Sequence, residues 1–156
     1  MKVNKFKVWD GENCMYTQDE AYIVFGKNGY WSCNEYGTDE LLCDSTNIGS
    51  RLLQYTVRED KNKKEIFEGD IVRRETYDWE EMERLSDLSG DDSLSTIYKE
   101  EVSYITYQGN SFWVDAESFG WEGEGLWEWD KIEVIGNIFS NPELMEKYNI
   151  TITKQA

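Results

Sequence analysis

The chain has 156 residues, with 32 acidic against 16 basic side chains, a formal net charge of −16, three cysteines and no histidine. That length suits one ordinary domain with a core of its own, and a 39% hydrophobic content rich in Trp and Tyr describes a folded chain. The same numbers leave a Cys/His zinc site without ligands, remove the commonest general base, and disfavour phosphate backbones as the main target.

Taken in chain order, Lys2 to Asp10 sets Phe6 and Val8 against Lys5 and Lys7, the alternation of a half-buried strand. Tyr22 to Phe25 and Tyr30-Trp31 flank Lys27-Asn28-Gly29, which predicts a hairpin because both Asn and Gly accept positive φ. Gly37 to Gly49 is polar and weakly patterned, and predicts a loop with a short helical turn around Asp39 to Leu42. Leu52 to Val57 predicts a strand, Arg58 to Lys64 a turn, and Ile71 to Tyr77 a further strand. From Asp78 to Ser95 strand character is lost, and Trp79, Met82 and Leu85 recur at the spacing of a short helix. The following LSGDDSLS is loop-like. Ile97 to Tyr107 and Ser111 to Asp115 predict a second hairpin, and Ile132 to Ile138 a last buried strand. Asn141-Pro142-Glu143-Leu144 predicts a helix start in which Asn caps, Pro fills the first position and Glu faces the positive dipole end. The sum is an α+β single domain over residues 1–156, dominated by short antiparallel strands, with a short C-terminal helix and an acidic insertion at about 78–95.

Charge is unevenly distributed. Glu75 to Asp130 holds sixteen acidic residues against Arg84 and Lys99, a net of −14 out of the whole chain's −16. This segment supplies the candidate interaction residues: Asp78, Trp79, Glu80, Glu81, Glu83, Asp87, Asp91 and Asp92, then Trp121, Glu122 and Glu124 in a Trp-rich stretch. Such a field attracts basic surfaces, and an exposed Trp is a frequent anchor of an interface. Asp87, Asp91 and Asp92 do not have the spacing of a calcium loop. A basic group, Arg51, Arg58, Lys61, Lys63 and Lys64 around Tyr55, suits phosphate plus stacking, against its ordinary reading as solvated turn charge. Glu68 and Asp70 could form half of an acid/base or metal site, or Asp70 could bond the backbone of its own turn. No Gly-x-Ser-x-Gly, Walker-type loop or dinucleotide fingerprint occurs. Nothing in the N-terminal residues reads as a signal peptide, and no apolar run approaches a membrane span. Unpatterned cysteines fit reduced thiols in a cytoplasmic host-cell setting.

Three blocks resemble the YopX family of phage- and prophage-encoded proteins. FKVWDGENCMY resembles its opening, with Trp9, Asp10 and Met15-Tyr16 in order. LLQYTVREDKNKKEIFEGDIV resembles its central block, and WDKIEVIGNIFSNPELM its closing block, including Gly136-Asn137-Ile138. Two positions depart from the pattern: Val57 stands where the family commonly has Gly, and Asn62-Lys63 where it usually has Asn-Gly. Either the hairpin geometry differs there or Asn62 alone takes the left-handed position.

The resemblance implies a small barrel-like β core and a phage-related setting, and it carries over no catalytic residue and no cofactor. The expectation is a non-enzymatic accessory protein that binds a host or phage protein with a basic surface, or a second copy of itself. One alternative is a nucleic-acid mimic directed at a host defence nuclease or DNA-binding protein. The other is a small barrel that binds nucleic acid or nucleotide. A metal-dependent carboxylate hydrolase ranks below all three.

Overall fold

The computed structural model describes residues 5–90, 98–108, 111–114 and 131–152. Among these are eleven strands and two helices: β1 (Phe6–Trp9), β2 (Met15–Tyr16), β3 (Ala21–Phe25), β4 (Trp31–Glu35), β5 (Leu41–Asp44), β6 (Arg51–Glu59), β7 (Glu65–Phe67), β8 (Asp70–Tyr77), α1 (Trp79–Ser89), β9 (Tyr98–Gln108), β10 (Ser111–Val114), β11 (Glu133–Asn137) and α2 (Pro142–Lys147). Every described strand pairing is antiparallel. The strands form three sheets, ordered β2-β1-β6-β7, β10-β9-β8-β11 and β3-β4-β5. The result is an α+β fold of short antiparallel strands with a curled half-barrel core and a short C-terminal helix. Among the described residues no helix is long and apolar enough to cross a membrane.

Two apolar clusters hold these sheets. Ile66, Val72, Ile105, Ile132 and Val134 join β7 to the β8–β9–β11 sheet. Val8, Ala21, Cys33 and Cys43, with Tyr16, Trp31 and Leu52 against them, join β1 to the N-terminal meander. Ile66 and Ile71 are fully buried, and each such side chain contributes roughly 2–3 kcal/mol over leaving it in water. β8 is covered on both faces, since its neighbours Ile71 and Val72 are both inaccessible. α2 lies over Gly136: a Cβ there would stand 2.5 Å from Leu144 Cδ1, so a larger residue would force that side chain to shift.

The Asn28-Gly29 turn forms as expected, with φ of 57° and 77° and Tyr30 N–H donating to Lys27 O at 3.1 Å. Leu41 to Asp44 departs from expectation: it is an edge strand, not a helical turn, because Cys43 sits opposite Cys33 and is buried there. β7 is a further departure. Its three residues lie inside the stretch between the expected turn and strand, and they owe their extended form to pairing with β6. Asn141 does precede α2, with Pro142 in its first turn, yet its side chain makes no cap. Its Oδ1 instead accepts the Asn137 N–H at 3.0 Å, drawn back onto β11 by the tight passage at Gly136. The first strand, expected from Lys2, begins at Phe6, with Lys5 described but outside it, and residues 1–4 and Asp115 lie outside the described residues.

The central hairpin keeps its glycine-type geometry without the glycines. Val57 has φ of 64° and Lys63 has φ of 65°, whereas Asn62 is not left-handed. Of the two alternatives, the one in which Asn62 alone takes that conformation is excluded, because Val57 and Lys63 are the left-handed residues. The Asp60–Lys64 turn closes with Lys63 N–H on Asp60 O and Asp60 N–H on Lys64 O, which puts the left-handed residue third in the loop. Val57 sits in a bulge between the pairs Tyr55–Phe67 and Glu59–Glu65. Thr56 spans it, its hydroxyl donating to Ile66 O and accepting from Arg58 N–H. A left-handed L-residue costs roughly 1–2 kcal/mol, more when β-branched, and glycine returns roughly 0.5–1 kcal/mol of that as entropy. Val57→Gly and Lys63→Gly should each raise the urea midpoint, by an equivalent of about 0.5–1 kcal/mol, with the larger gain at Val57. A lower midpoint for both would contradict the backbone conformation.

Asp60 is the fixed point of that turn. It is 3% exposed, its Oδ1 accepts from the N–H groups of Asn62 and Lys64, and its Oδ2 accepts from Val134 N–H at 2.9 Å. Asp60→Ala should cost about 2–4 kcal/mol in urea denaturation, because the donor on β11 loses its partner inside the core.

Candidate acidic interaction site

α1 begins where Asp78 Oδ1 accepts Glu81 N–H at 3.1 Å, and it ends at Gly90, whose left-handed φ of 65° lets its N–H reach Ser86 O. Trp79, Met82 and Leu85 share the spacing expected of one helix face, and Met82 and Leu85 are half-buried. Glu80, Glu83 and Asp87 fall on another face and are all exposed. Glu81 is held apart from this row by the ion pair it makes with Arg84, whose guanidinium keeps the Glu81 carboxyl below its usual value. Leu88, 73% exposed, borders the acidic face.

The β8–β9 ribbon leading into α1 adds charge. Glu75 faces Glu100 directly across the ribbon, both exposed, while Arg74 pairs with Glu101 at 3.4 Å. Like charges opposed across strands repel, and Arg73 Nη1 lies 4.0 Å from Glu100 to moderate them. The structure thus brings Asp78, Glu80, Glu81, Glu83 and Asp87 onto one helix and its cap. The backbone of Trp79 opens α1. Asp91, Asp92, Trp121, Glu122 and Glu124 lie outside the described residues.

The basic residues are exposed, and two of them have partners. Lys61 Nζ is 3.3 Å from Glu133 Oε2, and Arg73 approaches the same oxygen at 2.6 Å. Tyr55 packs on Phe67 with ring centroids 5.3 Å apart and has Lys5 Nζ 5.4 Å from its own centroid. Arg51 donates to Ser50 O. Arg58, Lys63 and Lys64 remain exposed at the hairpin end. Among the described residues no cluster of His, Cys, Asp or Glu has the geometry to hold a metal ion.

Asp70 bonds its own turn. Oδ2 accepts Phe67 N–H at 2.8 Å, and Oδ1 accepts the Asn137 amide at 3.1 Å. Burial pushes its carboxyl above the ordinary value against the pull of Lys7 and these donors, and burial likewise raises Glu68. With both oxygens of Asp70 engaged at 2% exposure, the residue has the geometry of a structural clasp. Asn137 follows Gly136 in the closing block, and nothing local to that block points to its bond with Asp70.

Glu133 shows the opposite shift. Hydrogen bonds from Arg73 and then Lys61 hold its carboxyl below the usual glutamate value. A depressed carboxylate stabilises the fold above its unfolded pKa and loses that contribution as pH falls. The denaturation midpoints of wild type and Glu133→Gln should therefore lie well apart at neutral pH and converge as pH drops below about 4.5. A gap independent of pH would mean the ion pairs contribute nothing.

Comparison with known proteins agrees with this architecture. The family model described as YopX protein matches residues 5–146. The chain is similar to the SPbeta prophage-derived uncharacterized protein YopX of Bacillus subtilis (strain 168), 31% identical over 144 residues that cover 90% of this chain and 95% of the relative. The crystal structure of protein YopX from Bacillus subtilis superposes with a TM-score of 0.61 at 28% identity, covering 90% of this chain and 96% of that one. Protein EF1440 from Enterococcus faecalis shares the fold, with a TM-score of 0.54 at 24% identity over 93% of this chain and 99% of the other.

Proposed function

The chain belongs to the YopX family, and from that starting point we propose that it is a phage-related accessory protein acting without catalysis, by docking a basic protein surface on the acidic face of α1. The prophage origin in the name of the Bacillus subtilis relative supports the setting. The observation that carries the docking reading is the exposed row Glu80, Glu83 and Asp87, while Arg84 on the same helix is spent on Glu81. Carboxylates carried on a capped helix keep a fixed backbone spacing, and their field steers a basic partner toward them.

A narrower second reading makes this row a mimic of nucleic-acid phosphates on a host defence or DNA-binding protein. At a rise of 1.5 Å per residue the three carboxylates spread over about 10 Å, roughly 5 Å apart, against about 3.4 Å per phosphate along one DNA strand. α1 alone is therefore the sparser array, which favours the general docking reading over mimicry.

The test keeps the helix intact. Glu80→Gln, Glu83→Gln and Asp87→Asn together leave the Asp78 cap and the Glu81–Arg84 pair in place. Tagged wild type incubated with host lysate should retain a basic protein at physiological salt and release it as salt rises, and the triple variant should retain several-fold less. Equal retention by both proteins, or a partner insensitive to salt, would refute the docking face. Release of that partner by added duplex DNA would select the mimic reading.

A further inference from the structure

β4 and β5 place two of the three cysteines directly opposite each other. Cys33 and Cys43 are Cα partners in the antiparallel register, 1% and 3% exposed, and both are free thiols in the cluster that joins β1 to the meander. Directly opposed Cα atoms in such a ladder stand roughly 4.5–5.5 Å apart, inside the roughly 4.4–6.8 Å that a disulfide requires. We infer that Cys33 and Cys43 form a dithiol site that closes to an intramolecular disulfide in the presence of a disulfide-class oxidant such as oxidised glutathione, fastening β5 to β4.

Burial raises both thiols. At Cys33 a hydrogen bond with Cys43 offsets part of that rise. Cys43 is pushed up to about 12 by burial first and then by the neighbouring Cys33. Burial holds both thiols protonated, so exchange starts when either one is exposed and ionises. That thiolate displaces one glutathione thiolate, which takes up the proton the cysteine has lost, and leaves a mixed disulfide on the first cysteine. The sulfur of the second cysteine then attacks the first and displaces the second glutathione, which takes up the second cysteine's proton. Two thiols are oxidised and one oxidised glutathione is reduced to two thiols, so atoms and electrons balance.

Access comes from the sheet edge. β5 is a four-residue terminal strand in the order β3-β4-β5, and short edge strands open locally at far lower cost than the whole fold. Because opening precedes attack, the oxidation rate should level off at high oxidant concentration. The bond would close a short loop between residues 33 and 43 and so limit what the unfolded chain can explore. Cys14 is the competitor: it is half-buried, with its thiol 3.2 Å from Asn13 Oδ1.

The folded full-length chain, equilibrated in oxidising and reducing glutathione buffers, should be alkylated and mapped by peptide mass spectrometry. The expected product is a peptide pair joined through Cys33 and Cys43, two hydrogens lighter than the thiols, with a melting temperature raised by ~5 °C. Cys14→Ser should keep both effects, and Cys43→Ser should hold glutathione on Cys33 with no internal bridge. The inference fails if Cys33 and Cys43 both stay alkylatable while the urea-unfolded chain oxidises, or if the bridge in wild type includes Cys14. Because wild type carries the mapping, a variant that fails to fold does not decide the question.

Discussion

Two buried carboxylates in tight turns, Asp60 and Asp70, hold the molecule's centre together. Each engages the backbone of its own turn with one oxygen and reaches β11 with the other, Asp60 to Val134 N–H and Asp70 to the Asn137 amide. Inside a protein a charge or polar group is costly unless its hydrogen bonds are complete. These two are complete only when the central block and the closing block meet in this register. The register in turn sets Val134 beside Val72 and closes the apolar cluster of Ile66, Ile105 and Ile132. Gly136 then lets α2 press onto the outer face of β11 through Leu144.

The same demand explains the strained hairpin. With Asp60 anchored at one end and Phe67 paired to Tyr55 at the other, β6 must absorb extra residues between them. The bulge and the loop each need one left-handed position, and those positions fall on Val57 and Lys63. Nearby contacts over-determine the conformation, so local preference yields. The exposed side chains at both positions show that core packing is not what keeps these residue types there.

Helix α1 could be read in advance, because helix caps and helix faces are local. Asp78 before Trp79, the three-residue recurrence of Trp79, Met82 and Leu85, and the place of Glu80, Glu83 and Asp87 on another face all follow from consecutive residues. The surroundings of the basic group around Tyr55 are not local: Glu133 and Phe67 come from other strands to pair with Lys61 and to pack on the ring. The short strands β5 and β7 escaped notice because few residues carry too little alternation to show a period. Only the neighbour across the ladder makes them strands.

By itself the sequence determined the kind of molecule: a family, an α+β class, an aromatic β-rich chain with its negative charge gathered in one segment, and most of the longer elements. Those properties reside in composition, in short-range spacing and in blocks read directly along the chain. Tertiary structure alone decided which polar residues are structural and which face outward. It turned Asp60, Asp70 and Asn137 into a buried clasp, matched Cys33 to Cys43, and spent Lys61 and Arg73 on Glu133. Each of these joins residues brought together only when strands pair, so no window along the chain contains both partners and their surroundings.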